Sequence, residues 1–264
     1  MILPKLPMNI LLTNDDGIHA QGLRALYNRF INSHHVSVVA PDRERSAIGH
    51  AITLNQPLRT TQVNLNGGYG GYAVNGTPAD CIKLAIAEIL PEPPDVVVAG
   101  INPGANVGAN LNYSGTVAAA KEAALGGVIG IAVSIEGQKA DYYDDAARFV
   151  AHLCDTVIAK GLPFGTFLNV NIPNRPLKEI LGVRISRQSV GLLAEYVEKR
   201  TDPRNRTYYW QGRDMQTFGD DAEIDGAALG QNFISITPVK CDMTDYRVLE
   251  DLRNWGLKEL NIVD

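Results

Sequence analysis

Two carboxylates stand side by side in the run TNDDGIHA, at Asp15 and Asp16. Adjacent anions at a strand end are unfavourable without a counter-charge. A divalent cation of the Mg²⁺ or Mn²⁺ kind, which prefers carboxylate oxygens, is one remedy. A plain capping turn is the other reading, because Asn, Asp and Gly all serve turns. A second polar run, APDRERSAIGH, brings the hydroxyl of Ser46 and the guanidiniums of Arg43 and Arg45. The arginines read either as an exposed charged turn or as groups that meet an anionic substrate.

The third run, AGINPGANVGANLNYSGTVAAAKEAA, says most. It carries Asn102, Asn106, Asn110 and Asn112 among Gly100, Gly104, Gly108 and Gly115, and then enters a helix through Ser114-Gly115-Thr116. A Gly-rich loop that opens a helix presents free backbone N–H groups and the positive end of the helix dipole to an anion. Ser114 and Thr116 add hydroxyls. The bland alternative is an Asn/Gly-rich surface loop with an ordinary Ser cap. A polar run of about 16 residues inside a compact domain argues for function. Carboxylates for a cation and a helix start for a phosphate together describe metal-assisted phosphoester hydrolysis.

Other chemistries fit worse. Gly-Lys-Ser/Thr does not close the third loop, so it is not a Walker A loop, and no Gly-x-Gly-x-x-Gly follows the first strand. There is no Gly-x-Ser-x-Gly elbow and no His-x-x-x-His pair among His19, His34, His35, His50 and His152. His19 and His50 read first as hydrogen-bonded structural residues, and Lys121 as a helix surface charge.

These residues need a scaffold, and the apolar pattern supplies one. Met8–Thr13, Val36–Ala40, Asp95–Ala99 and Ile129–Ser134 are short apolar runs that read as buried strands. Between them, Leu23, Leu26, Tyr27 and Phe30 recur at helical spacing. Thr77-Pro78 opens a helix through Cys81, Ile82, Leu84, Ala85 and Ile89. Thr116–Leu125 and Tyr142–Ala159 read as further helices. Strand–helix alternation with apolar strands predicts an α/β fold, a doubly wound, mostly parallel sheet of Rossmann-like kind. Its ligand site is expected at the carboxyl ends of the strands. Runs 14–19, 42–50 and 100–116 all fall at that edge.

The core is expected over 8–165, and a β-rich extension with a C-terminal oligomerisation element over 166–264. Phe167–Ile172, Val183–Arg187, Thr207–Trp210 and Phe233–Thr237 read as strands, 187–232 as an arm, and Tyr246–Trp255 as a last helix.

Composition narrows the classes. The chain has 264 residues, 45% hydrophobic and 20% charged, which suits one large folded unit. Lys and Arg total 24 against 29 Asp and Glu, for a net charge of −5. That balance argues against a nucleic-acid polymer as partner. Cys81, Cys154 and Cys241 form no Cys-x-x-Cys pair, which favours a reduced, cytoplasmic chain. No run reaches the roughly 18 apolar residues of a membrane span, and Met1–Met8 does not read as a signal peptide.

The blocks TNDDGIHA, APDRERSAIGHAITL, VNGTPADCIKLA, PDVVVAGINPGANVGANLNYSGTVAAAKEAA and SITP, in this order, resemble the SurE (survival protein E) family of nucleotidases. The resemblance implies a Rossmann-like core, a β-rich extension and a C-terminal element exchanged between subunits of a homodimer or homotetramer. It implies hydrolysis of nucleoside 5′- and 3′-monophosphates by a metal-activated water, with one divalent ion, Mg²⁺ or Mn²⁺, per subunit. Matched position by position, it places metal ligands at Asp15, Asp16, Ser46 and Asn102. It places phosphate-binding residues at Asn106, Ser114, Gly115 and Thr116. Asp15 and Asp16 are then the catalytic carboxylates. The Thr-Asp pair of some relatives reads Ile224-Asp225 here, so no role is carried to Asp225. The other classes to separate are a nucleotide sensor without turnover and a phosphatase of short polyphosphate or sugar phosphates.

Overall fold

The computed structural model describes residues 7–65, 69–190, 195–213 and 218–257. Parts of the expected arm (191–194, 214–217), the start of the N-terminal segment (1–6) and the end of the C-terminal element (258–264) lie outside the described residues. In chain order the elements are β1 (Asn9–Thr13), α1 (Gln21–Phe30), β2 (His35–Pro41), β3 (Thr60–Leu65), β4 (Tyr69–Val74) and α2 (Pro78–Leu84). Then come β5 (Val96–Pro103), α3 (Gly115–Leu125), β6 (Ile129–Ile135), α4 (Tyr143–Lys160), β7 (Thr166–Ile172) and β8 (Val183–Ile185). The chain continues with β9 (Glu195–Thr201), β10 (Thr207–Arg213), α5 (Asp225–Gly230), β11 (Ile234–Lys240) and α6 (Tyr246–Arg253).

Nine strands form one sheet in the order β3-β4-β2-β1-β5-β6-β7-β11-β8, and β9 and β10 form a separate antiparallel hairpin. Strands β4, β2, β1, β5, β6 and β7 are parallel neighbours, while β3 runs against β4, and β11 runs against β7 but parallel to β8. The expected doubly wound α/β sheet is therefore present. It does not divide at residue 165, because β7, β11 and β8 continue it. Strand β1 lies between β2 and β5, so the direction of winding reverses there. Ligands of doubly wound sheets bind at the carboxyl ends beside such a reversal.

Alternation along the strands covers both faces. Ile10 and Leu12 pack with Leu23, Leu26 and Phe30 of α1 and with Ala147, Val150 and Cys154 of α4. Leu11 turns to the other side, with Cys81 and Ile82 of α2 and Ala119 and Ala123 of α3. Helix α2 begins where the sequence predicts: Thr77 and Asp80 cap each other's backbone N–H, and Pro78 takes the first turn. Helix α1 sits so close to β5 that a Cβ at Gly22 would lie 2.0 Å from the Ile101 carbonyl oxygen.

Four local expectations change. Strand β5 does not stop at Gly100: after a register shift between Ala99 and Asn102 it resumes pairing with β6 through Pro103. Asn102 thus belongs to a strand, held by the ladder. The hairpin β3–β4 falls where no strand was expected. Its polar run TTQVNL occupies a sheet edge, where burial does not demand an apolar pattern. The charged β9 is found only through its pairing with β10, and α5 was likewise not expected.

Candidate active site

The turn after β1 is closed by Asn14. Its Oδ1 accepts from the Gly17 N–H at 3.1 Å, and its Nδ2 donates to the Gly17 carbonyl at 3.0 Å. The two aspartates between them differ in enclosure. Asp15 is buried, and its Oδ1 accepts the Thr116 hydroxyl at 2.5 Å. Burial pushes the Asp15 carboxyl up, and hydrogen bonds from Thr116 and from the backbone at Thr116 and Gly115 oppose that. Asp16 is half-buried, yet its Oδ2 is enclosed and has no hydrogen-bond partner among the described residues. Burial first, then the charges of Asp15 and Glu44, push Asp16 up to about 7.

The start of α3 closes on Asp15. A Cβ on Gly115 would lie 2.8 Å from the Asp15 Cβ, so only glycine allows this approach. Thr116 is fully buried, and its hydroxyl donates to Asp15. Ser114 caps α3, accepting from the Val117 N–H at 3.1 Å, which leaves its own O–H to donate.

The second loop is tied to the first where the Arg45 N–H donates to the Asp15 carbonyl at 2.7 Å. That contact brings Ser46 to the same edge. Ser46 is exposed and donates to Glu44 at 2.5 Å. Arg45 donates to the Asn75 carbonyl at 2.7 Å and lies 3.6 Å from Asp42. Arg43 is 4.0 Å from Asp42. Both arginines thus have protein partners.

On β5, Asn102 donates its amide to the Gly104 carbonyl at 2.7 Å, which leaves its amide oxygen for a ligand. Asn106 is buried, with its Nδ2 donating to Ser134 at 2.8 Å. The expected residues therefore lie at the end of β5 and in the segments that follow β1, β2 and β5, with Thr116 in contact with Asp15 and Asn106 held against β6 and β7.

The donor set suits a hard divalent cation: two carboxylates, one of them with an unpartnered enclosed oxygen, plus the neutral oxygens of Ser46 and Asn102. Among the described residues no three or more His, Cys, Asp and Glu gather to hold a metal, at this edge or away from it, so a cation here would depend on the neutral oxygens as well as the two carboxylates.

Several residues near this edge were not read as functional from sequence. Asp225 is fully buried and accepts from the N–H groups of Gly108 (2.8 Å), Gly226 (2.8 Å) and Ser189 (3.2 Å), so it anchors the third loop. Asn169 and Asn171 of β7 bond the backbone of Asn106. Their signal was present: two Asn at alternate positions of the apolar run FLNVNI are polar residues on one strand face. His50 pairs with Glu122 at 2.7 Å, and Lys83 joins them at 3.0 Å. A cavity of 580 Å³ beside α3, lined by Val117, Ala118, Lys121 and Phe167 among others, includes only Ser114 of the expected site residues. No helix among the described residues is long and apolar enough to cross a membrane.

Comparison with known proteins agrees with this fold. Residues 10–195 match the family model of survival protein SurE. A 5′-nucleotidase SurE of Desulfatibacillum aliphaticivorans is 56% identical over 252 residues, 96% of this chain and 100% of its own length. That of Syntrophobacter fumaroxidans is 47% identical, over 95% of this chain and all of its own. The crystal structure of the SurE protein from Aquifex aeolicus superposes with a TM-score of 0.81 at 34% identity, covering 93% of this chain and 98% of that one. The two aspartates, the capped helix beside them and the doubly wound sheet lie within that likeness, and the chain belongs to the SurE family.

Proposed function

We propose that this chain is a metal-dependent phosphomonoesterase that hydrolyses nucleoside 5′-monophosphates, and 3′-monophosphates, to nucleoside and phosphate. One observation carries the reading. An enclosed Asp16 oxygen with no hydrogen-bond partner among the described residues lies beside the buried Asp15 at the winding reversal of the sheet, where a bound cation relieves the two charges without a proton having to do so. The relatives named 5′-nucleotidase support the substrate class.

Asp15, Asp16, Ser46 and Asn102 would hold one Mg²⁺ or Mn²⁺ per subunit. When bound, that ion polarises a phosphoryl oxygen and offsets its charge. Asn106, through the amide hydrogen that Ser134 does not use, and Ser114, through its hydroxyl, hold the phosphate. Gly115 and Thr116 act at the same spot through Asp15: one permits the close approach and the other orients the carboxylate. Asp16, the less enclosed of the pair, exchanges protons with solvent. A water placed in line completes the hydrolysis without a covalent intermediate.

The whole chain, 1–264, works as one unit in this reading. Exposed apolar residues on the hairpin (Tyr209, Trp210) and past β11 (Met243, Trp255) support a homodimer or homotetramer that exchanges its C-terminal element. The three free thiols support a cytoplasmic location.

The test is phosphate release from 5′- and 3′-nucleoside monophosphates with Mg²⁺, with Mn²⁺ and with EDTA, on wild type and Asp15→Asn. Release that needs metal and is abolished by the substitution is expected. Nucleotide binding without release under either metal would turn the reading into a sensor.

A further inference from the structure

Polar residues at the carboxyl ends of β5, β6 and β7 and at the amino end of the antiparallel β11 fall in register. Asn102 pairs with Ser134, Ser134 with Asn171, and Asn171 with Ser235. Ser134, Asn171 and Ser235 are fully buried. A row of amides and hydroxyls across four strands of an otherwise apolar sheet is costly unless its groups are bonded.

Ser235 Oγ has no partner among the described residues, while the bonds of Ser134 and Asn171 converge on one residue. Asn171 Oδ1 accepts from the Asn106 backbone N–H at 2.8 Å, and Asn171 Nδ2 donates to the Asn106 carbonyl at 3.1 Å. The same carbonyl accepts from Asn169 Nδ2 at 2.8 Å. Ser134 takes the Asn106 side-chain amide at 2.8 Å. Asn106 is thus held at its N–H, its carbonyl and its side chain, all from the sheet below. Its own loop has little regular structure until Gly108, so the sheet, and not the loop, sets where its amide stands.

We propose that Asn171 is a positioning residue for phosphate binding: its side chain grips the Asn106 backbone at both polar groups and so fixes the amide that meets the phosphate. This rests on the assignment of Asn106 as a phosphate ligand. Fixed donors matter because misplacement of a binding group by about 1 Å costs up to about 100-fold in rate. Truncating Asn171 leaves the Asn106 N–H without its acceptor. The carbonyl keeps Asn169, and the side chain keeps Ser134. The loop stays attached but loses its register.

The test uses the full chain and three readouts. Asn171→Ala is expected to lower kcat/KM for nucleoside monophosphate by about 10- to 100-fold, with Mn²⁺ affinity by calorimetry within twofold of wild type. Hydrogen exchange at the Asn106 backbone N–H is expected to speed up. In a double-mutant cycle, Asn171→Ala should cost less than twofold on the Asn106→Ala background, because a residue acting through Asn106 has nothing left to position. Should alanine prevent folding, Asn171→Ser keeps a polar atom that is too short to span both groups, and the same results are expected of it. Wild-type kcat/KM in the single variant, or losses that multiply in the double variant, would overturn the role. If the wild type itself releases no phosphate under any metal, the proposed activity falls instead. The exchange rate at Asn106 then still decides whether Asn171 grips it.

Discussion

Thr116 donates its hydroxyl to the Asp15 carboxylate at 2.5 Å, joining residues 101 apart in sequence. The bond links the first polar loop to the start of α3 and orients the Asp15 carboxylate, which in the proposed reading would hold the cation. Partners that orient a metal ligand are typically worth about 10- to 100-fold in affinity. Thr116→Val keeps the shape and removes the donor. We expect it to weaken Mn²⁺ binding and phosphate release by about that factor, while Thr116→Ser stays near wild type. Metal titration of the three proteins by calorimetry checks this, and unaltered affinity in Thr116→Val would show the bond to be incidental.

The Asp16 carboxyl, raised to about 7 from its ordinary 3.8, ties stability to pH. A carboxyl raised on folding is protonated in the native state where the unfolded chain has already ionised. Its contribution to stability is therefore complete below about pH 4 and is lost as pH rises towards 7. In EDTA, the melting temperature should fall across that window. Asp16→Asn should flatten the fall, and saturating Mg²⁺ or Mn²⁺ should reverse it near neutral pH. Thermal melts from pH 4 to 8 decide it; a slope unchanged by Asp16→Asn would place the titration on another group.

Asp225 joins the third loop to α5 by accepting three backbone N–H groups. Asp225→Ala orphans all three. The expected cost is about 1–3 kcal/mol of folding stability for such buried groups, and Asp225→Asn, which retains an acceptor oxygen, should cost less. Urea unfolding of the two variants measures the order. Equal midpoints for alanine and wild type would mean that the anchoring is without consequence.

The segment after β11 carries Met243, Tyr246 and Trp255 at 81%, 60% and 66% exposure, and α6 buries none of its residues. Truncation after Cys241 spares β11. It should reduce the mass seen by light scattering if the segment joins subunits. The same oligomer in both proteins would assign assembly to another surface, such as the β9–β10 hairpin.

Much of this architecture was legible in the chain. The apolar runs of β1, β2, β5, β6 and β7 and the periodicity of α1 and α4 are local patterns, as is the Thr77-Pro78 start of α2. Asp15, Asp16 and Ser114 stood out by type and spacing alone, whereas Ser46 and Asn102 came from family resemblance. The edge strands β3 and β9 were missed, because polar, charged strands are stabilised by their partners and not by burial of an apolar face. The continuation of β5 past Gly100 was missed because pairing with β6, not composition, extends it.

The sequence by itself determined the strand–helix alternation, and with it the sheet edge where the polar loops must lie. Hydrophobic periodicity is written over a few neighbouring residues and survives without tertiary context. Only the tertiary structure decided what each polar group does there. Thr116 bonds Asp15, Asn171 the Asn106 backbone, and Asp225 the Gly108 N–H. Those choices follow from burial: a polar group closed off from water must take whichever partner the folded chain brings within reach, and here the partners come from 65, 101 and 117 residues away.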